Sequence, residues 1–173
     1  MNEIQTGALP EHAFLRKYAQ EGAFTDCYFV DLPGEVSQQD YVAAFYRSRV
    51  FRAERVLLGL LARRPASDAD AERLGRGDTS RFSIWDVEAR AADQLLMREF
   101  TGATRSWLMS ETMAGTAGPV TRLYFGSAVV PRRASPTGEP KFGFAFHALT
   151  GFHRSYSRAL LGSARAVLLR ARA

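Results

Sequence analysis

The period of the apolar positions changes twice along this chain. Between Ser37 and Ala62 they recur about every 3.6 residues, from Arg81 to Val130 about every second residue, and from Thr150 onward again at helical spacing. Pro10 to Gln20 reads as a short helix stopped by Gly22. Phe24 to Asp31 (FTDCYFVD) is aromatic and β-branched and reads as a strand closed by Pro33-Gly34. The clearest helix start follows. Ser37 stands three residues before Asp40, the spacing of a capping box with Asp replacing the usual Glu or Gln. Tyr41, Val42, Phe45 and Tyr46 then share a helical face. A second helix is predicted from Ser48 to Ala62, with Val50, Ala53, Leu57, Leu60 and Leu61 as its stripe and Pro65 as its stop. Asp68 to Leu74 adds one or two helical turns before Gly75 and Gly77.

Alternation then predicts four strands: Arg81 to Glu88, Gln94 to Phe100, Thr104 to Thr112 and Val120 to Val130. The joints between them are short and rich in Gly, Ala, Thr and Asp. Such joints fit antiparallel neighbours, because a parallel pair needs a crossover of a dozen residues or more. A fifth strand is predicted at Lys141 to Ala148, where Phe142, Phe144 and Phe146 alternate. A long helix begins at Thr150 or Gly151 and keeps Phe152, Tyr156, Leu160, Ala164, Val167 and Leu168 on one face. Segregation of strands from helices argues for α+β over a doubly wound sheet. The expected architecture is a curved antiparallel sheet wrapped around the long C-terminal helix, one domain over residues 1–173, with 1–22 as an N-terminal extension or short helix.

This order of elements resembles the helix-grip fold of the START-like, polyketide-cyclase-like (SRPBCC) superfamily. The second half resembles bacterial families of uncharacterised function within it. The likeness is carried by LGRGDTSRFSIWDVEARAADQLLMRE, by TRLYFGSAVVP and by GEPKFGFAFHALTGFHRSYSRALLGSA, where Gly138, the Phe-rich segment, Phe152-His153, Tyr156 and Leu160-Leu161 form the ending. It spans roughly residues 24–170. It implies a cavity for a hydrophobic ligand, and lipid carriage or the cyclisation or dehydration of aromatic polyketides in some relatives. It supplies no catalytic signature that maps onto these positions.

Composition narrows the picture. A chain of 173 residues with 46% hydrophobic and 24% charged residues is globular in character. The longest apolar run, Val56 to Ala62, has seven residues, while a membrane span needs about 20. The first residues lack a basic n-region and an apolar h-region, so no secretory signal is expected. One cysteine, Cys27, precludes an internal disulfide and a multi-thiolate zinc site. A cytoplasmic location is the expectation. Net charge is +5, but 21 of the 23 basic residues are Arg scattered along the chain, with no block of five. That distribution does not favour a nucleic-acid partner.

No phosphate loop, HExxH, paired CxxC or GxSxG motif is present, and no cofactor or metal is implied. Cys27 reads as a buried inert thiol, and Gly75-Arg76-Gly77 as a turn. His153 reads either as a surface residue of the first helical turn or as a proton carrier at a cavity mouth. Alternation places Phe82, Ile84 and Asp86 on one sheet face, with Ser83, Trp85 and Val87 on the other. Arg105, Trp107, Met109 and Glu111 share a face on the third strand, and Arg122 and Tyr124 share one on the fourth. These charged residues either pair on an outer surface, as Arg105–Glu111 or Arg122–Glu111, or help line a cavity. In the second case Trp107, Met109, Glu111, Arg122, Tyr124, Phe144, His153 and Tyr156 are the expected ligand-binding residues.

The leading functional expectation is a binder of a small hydrophobic or aromatic molecule in a cavity between the sheet and the C-terminal helix. The alternative is a cyclase- or dehydratase-like enzyme that moves a proton through a cavity His, Glu or Tyr. A protein-interaction module, built on the basic C-terminal helix and the loop Pro131 to Pro140, is a third class. A homodimer stays open as an assembly.

Overall fold

The computed structural model describes residues 3–130 and 144–172, and of these the side chains of residues 54, 57–62 and 144–154 lie outside the description. Among the described residues, seven strands and five helices follow the order β1 (Gln5–Thr6), α1 (Arg16–Gln20), β2 (Phe24–Pro33), α2 (Gln38–Arg47), α3 (Arg49–Ala62), α4 (Asp68–Arg76), β3 (Arg81–Phe82), β4 (Trp85–Arg90), β5 (Gln94–Glu99), β6 (Thr104–Gly115), β7 (Gly118–Val129) and α5 (Phe144–Arg170). The strands form one open antiparallel sheet in the order β1-β2-β7-β6-β5-β4-β3. The class is α+β.

Helix α2 is the central helix of the fold. Ser37 caps it: its hydroxyl accepts from the Asp40 N–H at 3.0 Å and donates to the Asp40 carboxylate at 2.7 Å. Six of its ten residues are buried, among them Tyr41, Val42, Phe45 and Tyr46, which no solvent reaches. Two polar groups tie it to the sheet. Tyr41 Oη donates to the Tyr124 carbonyl at 2.9 Å, and Gln38 Nε2 donates to the Leu108 carbonyl at 3.1 Å. Phe45 packs on Phe125 of β7 with ring centroids 5.1 Å apart. On the same face lie Phe51 of α3, Leu74 of α4, and Leu160, Leu161, Ala164 and Leu168 of α5. The helical layer is thus shared among four helices, and the C-terminal helix is one member of it.

The opposite face of the sheet is covered as well. Leu96, Trp107, Met109, Tyr124, Cys27 and Ala128 form a second core under the N-terminal segment, which contributes Ala13, Leu15 and Tyr18. Strand β6 is therefore buried without interruption from Arg105 to Ser110. A strand covered on both sides loses the in–out contrast of a half-exposed one. The segment expected as an extension or short helix contains the short helix α1, and its residues 9–18 supply part of this layer.

Two elements differ from their sequence reading. Of the predicted strand at 141–148, residues 141–143 lie outside the described residues, while 144–148 form the first turns of α5. Three alternating Phe residues gave that segment a period of two, and Gly151 gave it a stop. A helix carries an internal Gly at a cost of only about 1 kcal/mol, and here it continues through. The predicted strand at Arg81 to Glu88 is a hairpin. Phe82 pairs with Trp85 across a two-residue turn in which Ser83 has φ +53° and donates from its hydroxyl to the Arg64 carbonyl at 3.0 Å. The turn puts Phe82, Trp85 and Val87 together against the helix-side core, in place of the predicted split.

Candidate functional site

The helix-side core is not filled completely. A cavity of about 150 Å³ lies between β4, β6 and β7 below and α2, α3 and α5 above. Phe45, Phe51, Trp85, Phe125, Tyr156 and Leu160 give it aromatic and aliphatic walls, and Thr104, Ser106, Ser127 and Ser157 complete its lining along the sheet and α5. Ser106 and Ser127 are cross-strand partners at the centre of the sheet. Their short side chains leave the space that a Leu or Phe at either position would occupy. Ser127 is oriented by Asp26 of β2, whose Oδ1 accepts from both the Ser127 N–H and its hydroxyl at 2.8 Å.

Ser157 enters from α5. It lies on the same stripe as Leu161, Ala164 and Leu168, at spacings of four, seven and eleven, and is fully buried. Its Oγ has no hydrogen-bond partner among the described residues, nor does the buried indole Nε1 of Trp85. Burying such groups unpaired is unfavourable, and native structures hold few of them. Both residues line the cavity, but neither of these two atoms contributes to its accessible surface.

The ligand residues expected from the sequence divide between the two faces. Trp107, Met109, Glu111, Arg122 and Tyr124 do share a face, but it is the one beneath the N-terminal segment, opposite α5. Tyr156 lies on the helix side and lines the cavity. The side chains of Phe144 and His153 lie outside the described residues.

On the N-terminal side the polar residues are engaged with each other. Arg122 binds Asp31 through two contacts, Nε to Oδ1 at 2.7 Å and Nη2 to Oδ2 at 2.9 Å, and lies 4.4 Å over the Phe29 ring. The hydrogen bonds to Asp31 raise its pKa further above the ordinary guanidinium value. Glu111 accepts from Tyr124 Oη at 3.1 Å, and burial, with that carboxylate, raises the Tyr124 phenol. Neither Arg105 nor Arg122 forms an ion pair with Glu111. Arg105 meets Glu88 instead, Nε to Oε2 at 2.5 Å, and hydrogen-bonds Tyr18 Oη at 2.8 Å. Burial pushes the Glu88 carboxyl up, but hydrogen bonds from Lys17 and Tyr18 and the charge of Arg105 outweigh it and hold it below its ordinary value. The Cys27 thiol is buried, and burial, then the nearby Asp26 charge, push its pKa up to about 12. It is a poor nucleophile.

Trp107 anchors the N-terminal segment. Its Nε1 donates to Gln94 Oε1 at 3.0 Å, the same oxygen accepts the Phe14 N–H at 3.0 Å, and Gln94 Nε2 donates to the His12 carbonyl at 3.1 Å. Gly126 lets the segment close down, because a Cβ there would sit 2.7 Å from the Asp26 carbonyl and 3.0 Å from Leu15.

Sequence reading missed Phe45, Phe51, Trp85, Phe125, Leu160 and the three serines as cavity residues. One signal was present. Ser157 interrupts the apolar stripe of α5, and a polar residue in such a place needs a partner or a void. Among the described residues no group of three His, Cys, Asp or Glu is placed to hold a metal, and no helix is long and apolar enough to cross a membrane. Comparison with family models, curated proteins and solved structures found no match to the chain.

Proposed function

We propose that the protein binds a small apolar or single-ring aromatic molecule in the cavity between the sheet and α5. The observation that carries this reading is the cavity: about 150 Å³, walled by five aromatic residues and Leu160, with Thr104 and three serines also in its lining. Its size is close to that of an apolar cavity that takes up benzene, and lies below the roughly 300–1,000 Å³ of sites for drug-sized ligands. The resemblance of the element order to the START-like, helix-grip superfamily supports the same function class. A cyclase reading finds less support. Glu111, Arg122 and Tyr124 lie across the sheet from α5, and the volume is small for a fused-ring substrate. An interaction module would call for a contiguous exposed apolar patch. The large apolar residues exposed among those described, Val56, Phe100 and Leu169, belong to three separate parts of the chain.

The test is isothermal titration of the full chain with toluene and phenol. Binding in the range of about 0.1–1 mM is expected, equivalent to roughly −4 to −5.5 kcal/mol for seven heavy atoms. Filling the space with Ser106→Leu, or from the other side with Leu160→Phe, is expected to weaken both probes at least about tenfold while the variant stays folded. Absence of binding to the native chain, or undiminished binding to folded variants of both kinds, would overturn the proposal.

A further inference from the structure

On the opposite face of the sheet, we infer a second binding site, for an aliphatic carboxylate, in the groove between α1, residues 6–9 and β2. The groove holds about 630 Å³, within the roughly 300–1,000 Å³ of small-molecule sites. Arg16, Ala19 and Gln20 of α1 line one wall, at the i, i+3 and i+4 positions of one helix face, while Lys17 and Tyr18 reach to Glu88. Ala8 and Leu9 belong to the facing loop. Alternation along β2 sorts the floor. Cys27 lies in the core beneath the N-terminal segment, which puts Thr25 on the same face. Asp26 points the other way, to Ser127, and Tyr28 packs in the helix-side core.

Charge and shape then select the ligand. The Asp26 carboxylate is turned to the far side of the sheet, so among the described residues Arg16 is the charged side chain that meets the groove. Arg16 is half-buried, and its Nη1 donates to the Leu9 carbonyl at 3.2 Å, which holds the guanidinium against the loop wall. Among the described residues its Nε and Nη2 have no partner. Those two N–H groups form the side of the guanidinium fork that matches both oxygens of a carboxylate. The walls offer no ring to stack on, because Phe24 and Tyr28 alternate to the other face. The complement to one free guanidinium edge on aliphatic walls is a single carboxylate on a hydrocarbon chain.

Titration of the ¹⁵N-labelled full chain with octanoate and with 1-octanol at pH 7, followed by amide resonances, tests this. Octanoate is expected to bind in the range of about 0.1–1 mM, with the Ala19, Gln20 and Thr25 signals moving saturably. Arg16→Gln is expected to lower the octanoate-to-octanol affinity ratio about five- to tenfold, the worth of a half-exposed charge-assisted contact, with octanol changed less than about twofold. Ala19→Trp fills the groove from an exposed position on α1, so the fold should stand while both probes weaken at least about fivefold. Absence of octanoate binding at about 10 mM, or an unchanged ratio in folded Arg16→Gln, would overturn the inference. So would shifts confined to Ser106, Ser127 and Ser157, which line the cavity on the helix side.

Discussion

Gln94 is the single side chain on which the attachment of the N-terminal segment most depends. Gln94→Met keeps the length and apolar bulk of the residue and deletes three hydrogen bonds, those with Trp107 Nε1, the Phe14 N–H and the His12 carbonyl. Trp107 is fully buried, so its orphaned N–H should cost about 1–3 kcal/mol. Phe14 and His12 lie nearer the surface and can turn to water, so their two bonds should cost about 0.5–1 kcal/mol each. The sum, roughly 2–5 kcal/mol, is a large share of a typical stability of about 5–15 kcal/mol. For a chain of this size it should lower Tm by roughly 5–20 °C. Urea unfolding followed by far-UV circular dichroism measures the loss, and limited proteolysis between Leu9 and Ala23 reports whether the segment has lifted. Trp107→Phe removes the orphan, so Gln94→Met on that background should cost about 1–3 kcal/mol less than on the native chain. A loss under about 0.5 kcal/mol, or strict additivity of the two substitutions, would refute the reasoning.

Glu88, held below its ordinary pKa of 4.5 by Lys17, Tyr18 and Arg105, stabilises the fold above that value, and the contribution is lost as the pH falls through the depressed folded value. Stability of the native chain should fall below about pH 4.5 more steeply than that of Glu88→Gln, and parallel urea titrations that show equal slopes would exclude this role. Gly75→Ala sets two effects against each other. Helix propensity favours Ala by about 1 kcal/mol, but the new Cβ would sit 2.6 Å from the Gln39 carbonyl oxygen where α4 packs on α2. Because the neighbour is backbone, a net loss of roughly 1–2 kcal/mol is expected, and a raised Tm would show that the two helices can part freely.

The helices and the meander could be read because each is governed by a local rule. Ser37 and Asp40 announce α2, and Tyr41, Val42, Phe45 and Tyr46 mark its buried face. The strands β5, β6 and β7 follow from short joints and β-rich segments. The site was harder to read because it depends on which layer covers which face. Alternation correctly groups Trp107, Met109 and Glu111, but a period of two cannot say whether their face meets a helix or the N-terminal segment. The second layer is built from residues 9–18, where Phe14, Leu15 and Tyr18 stand at helical spacing, but that spacing does not say which face of the sheet the segment covers. The hairpin at Ser83-Ile84 carries no Gly, Asn or Pro, so the switch of face between Phe82 and Trp85 left no trace in the pattern.

The two tryptophans sit on opposite faces of the sheet, Trp85 at the cavity and Trp107 beneath the N-terminal segment. Their indole N–H resonances in a ¹⁵N-labelled sample are therefore separate reporters for the two sides. Titration with phenol to about 10 mM, well above the affinity expected for a ligand of this size, is the most direct test of the central claim. The Trp85 signal should move saturably while that of Trp107 stays in place. A stationary Trp85 signal, or movement of Trp107 in its stead, would contradict a ligand site between the sheet and α5.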